Sequence, residues 1–214
     1  MRMFSFWRSN ASFRVRIACN LKGIPLEEVP IDLDLGEQHA PDFLAMNPQA
    51  ALPALFDGDG PALTESLAIL EYLDETHPAP PLLPQGARAR ARVRSLAQVV
   101  ACDSHPLIVP RIRQYLLDRE GFDLPRWTAW QRHWLGEGMA VMEQRLSREP
   151  ETGRYCHGDT LTIADICLVA HAVSSAIFGV ALNDYPTAHR IVQDCLSQDA
   201  FARAHPKRQP GAPV

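Results

Sequence analysis

No two cysteines in this chain stand at CxxC spacing, and the five present (Cys19, Cys102, Cys156, Cys167 and Cys195) are odd in number and widely scattered. That excludes a disulfide framework and a cysteine-ligated zinc site, so no metal is expected, and it predicts reduced thiols acting as small core residues. No apolar run approaches the roughly 18 residues that a membrane helix needs. The N-terminus lacks the basic, then apolar, then small-residue order of a secretory signal, so the expected location is cytoplasmic. Positive charge is in deficit as well: 21 Lys and Arg against 25 Asp and Glu leave a net charge of −4. General binding to a phosphate backbone is therefore excluded, and neither nucleic acid nor membrane is expected as a partner.

What remains is a chain of 214 residues, 46% apolar and 21% charged, which is enough to bury a full core in one compact domain or two small ones. Its organising stretch is Arg8 to Ile17. Before it, Met1 to Phe6 alternates apolar and polar side chains as a strand does. After it, Val15, Ala18 and Cys19 recur at helical spacing up to Lys22-Gly23, where glycine can close a helix. Hydroxyls thus sit at a helix N-terminus. Unpaired N–H groups and the positive end of the helix dipole favour an anion there, and a thiolate in particular is stabilised. Serine at such a place is also simply a preferred cap.

Leu26 to Leu33 reads as a second strand and Gly36 to Ala40 as a polar loop. Pro41-Asp42 starts a short helix that Asn47-Pro48 ends, because the residue before proline disfavours the helical region. Leu52 to Phe56, the turn Asp57-Gly58-Asp59-Gly60, and Pro61 to Leu63 form a hairpin pattern. A further helix follows over Glu65 to Leu73, with Ser66 as the expected N-cap. This order, within residues 1–76, predicts a thioredoxin-like α/β domain. The proline-rich stretch His77 to Pro84 marks a linker over 77–85. Residues 86–214 carry only helical periodicity and form an all-α domain. Within it, Arg88, Arg90, Arg92 and Arg94 predict a solvated face, and Pro106 and Pro110 predict a bend. Trp127, Trp130 and Trp134 predict a core stripe. Thr162 and Asp165 form a capping box for a helix through Val173, and the last helix runs from Pro186 to Leu196.

Ser9-Asn10-Ala11-Ser12-Phe13-Arg14-Val15-Arg16-Ile17-Ala18 resembles the Ser-Ser-Cys-Ser-Trp-Arg-Val-Arg-Ile-Ala signature of zeta-class glutathione transferases, the group that includes maleylacetoacetate and maleylpyruvate isomerases. Asn10, Ala11 and Phe13 are departures from it. The resemblance extends through the proline before a strand, Glu65-Ser66, the proline linker and the capping box, in that order. It implies an N-terminal thioredoxin-like domain followed by an all-helical glutathione-transferase domain, glutathione as cofactor, a small-molecule substrate and a homodimer. Residue by residue it implies Ser9 as activator of the glutathione thiol, with Asn10 and Ala11 beside it. It implies that Pro53 is cis, that the main chain of Leu52 pairs with the cysteinyl main chain, and that Glu65 and Ser66 hold the γ-glutamyl end. Gln38, with His39 as the alternative, matches a loop contact to the glutathione backbone, and His105 a further contact.

Cis-trans isomerisation of a maleyl-keto acid needs a nucleophile that adds to the alkene, lets the bond rotate and leaves again. Glutathione thiolate would supply it, with arginines holding the substrate carboxylates. By resemblance Arg8 and Arg111 are such cations, Arg8 also standing with Ser9 in the catalytic set. Pro110 and Ile177 stand where the isomerases carry arginines, Ile177 at a carboxylate-binding position. Two alternatives stay open: a zeta-like transferase that conjugates, dehalogenates or reduces a less anionic substrate, and a non-catalytic glutathione- or partner-binding protein on the same scaffold.

Overall fold

The structure, a computed structural model, describes residues 1–213. In chain order the regular elements are β1 (Arg2–Ser5), α1 (Asn10–Lys22), β2 (Glu27–Pro30), α2 (Pro41–Met46), β3 (Ala54–Phe56), α3 (Ser66–Thr76) and α4 (Ala87–Gln98). They continue with α5 (Pro110–Arg119), α6 (Leu124–Arg148), α7 (Ile163–Ile177), α8 (Pro186–Leu196) and α9 (Asp199–Ala204). The chain divides into two compact units, one of residues up to Pro81 together with the chain from Gln198 onward, the other Leu82–Ser197.

In the first unit the sheet order is β2-β1-β3, with β1 parallel to β2 and antiparallel to β3. Alternation along β1 buries Met3 and leaves Arg2 exposed. Gly23 ends α1 in the left-handed region at φ 65°, returning its N–H to the last turn. The expected hairpin is only half present. Its returning arm shrinks to one bridge, Leu55 N to Leu63 O at 2.9 Å and Leu63 N to Leu55 O at 2.7 Å, since Pro61 has no N–H to extend the ladder. Gly36 to Ala40 is a short 3-10 turn over Glu37–His39 rather than open loop.

The boundary of the first unit differs from the sequence expectation at both ends. Lys22 reaches Asp74 at 2.9 Å and the carbonyls of His77 and Pro80 at 2.6 and 2.8 Å, which holds the start of the linker against α1. At the other end α9, which the sequence reading missed, packs on α1. Phe201 is fully buried, Asn20 donates to the Ala200 carbonyl at 2.9 Å, and the Phe13 and His205 rings meet edge to face at 6.2 Å. The tail therefore belongs with the first unit although residues 86–214 were expected as one helical domain.

The second unit is built on α7, buried from Ile163 to Ser175 and four residues longer than the expected end at Val173. Asp165 closes its N-terminus as the capping box predicts: its carboxylate accepts from Thr162 N and Oγ1, both at 2.8 Å, and from Cys156 N at 2.7 Å. The expected bend is a full interruption, with a π turn over Val99–Ser104, a 3-10 turn over His105–Ile108, and α5 starting afresh at Pro110. Gly138 on α6 makes this close layering possible. A Cβ there would lie 2.7 Å from His171 Nε2 and 2.9 Å from the Ser104 side chain.

Two side-chain expectations fail in this unit. Arg92 leaves the solvated row to bind Glu149 at 2.6 Å, the Cys156 carbonyl at 2.7 Å and Thr152 Oγ1 at 3.0 Å. Of the tryptophans only Trp127 is core; Trp130 and Trp134 are half-buried, and Trp130 Nε1 donates to the Leu107 carbonyl at 2.7 Å.

Candidate functional site

The predicted glutathione residues other than His105 all fall in the first unit. Ser9 has extended backbone and caps α1, its Oγ accepting from Ser12 N at 3.2 Å. A hydroxyl has one proton and two lone pairs. Accepting from the helix leaves the Ser9 proton to donate outward, beside the first-turn N–H groups and the positive helix end. Asn10 and Ala11 open the helix and are buried. Ser12 Oγ, one turn further, is buried with no hydrogen-bond partner.

Leu52 precedes Pro53 across a cis peptide bond. Neither its N–H nor its C=O joins any hydrogen bond among the described residues, which leaves one donor and one acceptor for an extended main chain. Gln38 is 5% exposed and its side-chain carbonyl has no partner, whereas neighbouring His39 is exposed. Of that pair Gln38 is thus the residue with an unmet polar group.

The expectation of Ser66 as N-cap of α3 is corrected. Glu65 holds the cap position, without a side-chain cap bond, and Ser66 is the first helical residue. Glu65 has φ 63° and ψ 109°, a region that a residue with a Cβ rarely occupies and that is retained mainly where function needs it. This backbone turns the N–H end of α3 and the Ser66 hydroxyl into one donor set. The sequence reading missed what stands behind it: Arg14, with 1% exposure, donates from Nη1 to Ser66 Oγ at 3.1 Å. One signal was available, since Arg14 lies three residues from Ala11 and four from Ala18 on an apolar helix face, where a charge implies a buried partner.

Arg8 is not a lone cation. Its guanidinium pairs with Asp34, which the sequence reading did not single out, and lies over the rings of Phe6 and Trp7 at 5.3 and 5.8 Å. Both members of the ion pair are solvent-accessible, so its net strength is small. In the second unit His105 sits at the junction of the π and 3-10 turns, Arg111 is exposed in the first turn of α5, and Ile177 is the last residue of α7, 41% exposed. Among the described residues no group of His, Cys, Asp or Glu could hold a metal ion.

The cysteines offer no competing nucleophile near α1. Burial pushes the Cys19 thiol up to about 12 and raises Cys156 and Cys195 as well. The expectation of uniformly buried thiols fails only at Cys102, which is exposed. Alkylation of the native protein at mildly alkaline pH is expected to give a single adduct, at Cys102, by peptide mass spectrometry. Labelling of Cys19 at a comparable rate would overturn this reading of α1.

Residues 3–81 match the family model described as glutathione S-transferase, N-terminal domain. A maleylpyruvate isomerase of Ralstonia sp. is 43% identical over 210 residues, covering 98% of this chain and 99% of that one. The maleylacetoacetate isomerase of Pseudomonas aeruginosa is 39% identical with both chains fully covered. Among solved structures, a maleylacetoacetate isomerase from Methylobacterium extorquens AM1, crystallised with malonate and GSH, superposes with a TM-score of 0.98 at 57% identity and full coverage of both chains. The holo structure of a zeta-class maleylpyruvate isomerase superposes with a TM-score of 0.95 at 42% identity, again with full coverage.

Proposed function

We propose, from the premise that the chain belongs to the glutathione transferase family and within it to the zeta-class isomerases, that it is a glutathione-dependent cis-trans isomerase of a maleyl-keto acid. The observation that carries this is the cap of α1, where Ser9 accepts from Ser12 N and keeps its hydroxyl proton for an anion at the helix N-terminus. The residues fit glutathione on three further counts: the unpaired main chain of Leu52, the unpartnered carbonyl of buried Gln38, and the donor set of Glu65-Ser66.

Bound there, glutathione supplies a thiol whose thiolate adds reversibly to the substrate double bond. Ser9 donates a hydrogen bond to the sulfur and lowers its pKa, with Asn10 and Ala11 closing the same turn. Leu52, ahead of Pro53, would hold the cysteinyl main chain through its free N–H and C=O. Ser66 and the α3 N-terminus hold the γ-glutamyl carboxylate and Glu65 attracts its ammonium group. Gln38 holds the glutathione backbone through its free carbonyl, and His105 is assigned a further contact. Arg8 and Arg111 offer positive charge to substrate carboxylate and to charge developing on its oxygens. A cytoplasmic homodimer belongs to the same proposal. No helix among the described residues is long and apolar enough to cross a membrane.

At the carboxylate-binding position that the resemblance gives it, Ile177 favours a less anionic substrate, the feature shared with the transferase alternative. Each buried carboxylate needs a cation or several donors to offset lost hydration, and an isoleucine offers neither. Maleylacetone, with one carboxylate, is expected to be turned over with higher kcat/KM than maleylpyruvate, with two. Ile177→Arg is expected to narrow or reverse that ratio by roughly tenfold or more, from about 1.5–3 kcal/mol for a hydrogen bond to a charged group. Efficient maleylpyruvate turnover by the native protein would refute the role of Ile177, and absence of any glutathione-dependent turnover would refute the isomerase reading itself.

A further inference from the structure

We propose that Arg14 is a positioning residue for glutathione, acting through Ser66: its guanidinium occupies an acceptor site of the Ser66 hydroxyl and so directs that hydroxyl's proton toward the γ-glutamyl carboxylate. The inference deepens the placement of that carboxylate at Ser66 and rests on it.

A guanidinium can only donate hydrogen bonds. At the 3.1 Å contact between Arg14 Nη1 and Ser66 Oγ the serine oxygen is therefore the acceptor, and its proton must point elsewhere. Arg14 is 1% exposed and Ser66 6% exposed, so water does not scramble the polarity of this contact. A hydroxyl polarised by a cation behind it is also a stronger donor than an isolated one. The helix supplies the rest of the cradle. Glu65 O already accepts from Ile69 N at 3.0 Å, which starts the α3 ladder, while the first N–H groups of α3, beginning with that of Ser66, have no partner within the helix. A carboxylate held at the N-terminus of α3 thus meets these N–H groups and the Ser66 hydroxyl as donors, with the Glu65 carboxylate at the cap left for the neighbouring ammonium group.

Arg14 also links the two ends of the cofactor site. It lies on α1, the helix capped by Ser9, and reaches the first residue of α3. One buried side chain accordingly ties the helix capped by the thiol-activating hydroxyl to the residue that carries the carboxylate-binding hydroxyl. A flexible pair of surface residues could not hold that connection, whereas a side chain packed on all sides can.

The test is a double-mutant cycle read by calorimetric glutathione affinity. Arg14→Met and Ser66→Ala are each expected to weaken binding by roughly tenfold, the size of a hydrogen bond to a charged group. The double variant is expected to bind no more weakly than the worse single one, because Arg14 acts through Ser66. Arg14→Lys, which keeps a cationic donor, is expected to retain most of the affinity and guards against a variant that fails to fold. As a readout that a merely structural role would not produce, a glutathione analogue lacking the α-carboxylate of its γ-glutamyl residue is expected to bind native protein and Arg14→Met alike. Additive losses, or an equal loss for the analogue, would overturn the role of Arg14. Unchanged affinity in Ser66→Ala would instead overturn the underlying placement of the carboxylate.

Discussion

Ser9→Ala is expected to raise the pKa of the bound glutathione thiol and to lower kcat/KM by about a hundredfold, the scale for removing one donor to a developing or resident anion in an active site. The thiolate's ultraviolet absorbance, followed against pH in the presence of saturating glutathione, checks the first part directly. The helix N-terminus survives the substitution, so part of the pKa depression should remain. Loss of the cap itself costs about 1 kcal/mol of stability, which denaturant unfolding would register separately from activity. Cys19→Ala serves as the control. With its thiol pushed up to about 12 by burial, Cys19 holds no thiolate to contribute, and its removal should leave the glutathione pKa where it was. An unshifted pKa in Ser9→Ala would pass the role to Asn10, to Ser12, whose hydroxyl is buried without a partner, or to the backbone alone.

The second large effect is on stability. Asp165 is fully buried, and its carboxylate satisfies the Cys156 N–H, the Thr162 N–H and the Thr162 hydroxyl. Asp165→Ala leaves all of these donors unmet inside the second unit. At about 1–3 kcal/mol for each unsatisfied buried group, with partial relaxation, a loss of about 4 kcal/mol is expected in denaturant unfolding. Asp165→Asn should cost less, about 2 kcal/mol, for a geometric reason. One oxygen can still serve the two donors of Thr162, but the amide NH2 then faces Cys156 N–H as donor against donor. A loss below about 1 kcal/mol in Asp165→Ala would mean that the segment before α7 repacks around the missing carboxylate.

The parts of this molecule legible in advance are those whose physics is completed within a few residues. The alternation of β1, the Ser9 cap and Gly23 terminus of α1, and the Thr162–Asp165 box each involve partners two to four positions apart or a single backbone conformation. The same locality explains why the serine-rich turn could be read as an anion site before any geometry was known. Ser66 shows the limit of that kind of reading. Its presence at the start of α3 was legible, yet whether it or Glu65 held the cap turned on one backbone angle, φ 63° at Glu65, that no propensity specifies.

What the sequence by itself determined, then, is the order of elements, the helix ends and the residue types gathered at the thiol-binding turn, because local sterics, capping and periodicity act along the chain. Only the tertiary structure decided which charges are buried and what they serve. Arg14 and Ser66 are 52 positions apart, Arg92 and Glu149 57, and Asn20 and Ala200 180. A buried charge or polar group is tolerable only where the fold brings it a partner, and a partner that far along the chain leaves no periodic trace. The burial of Arg14, the withdrawal of Arg92 from its row of arginines and the return of the tail to α1 all follow from that.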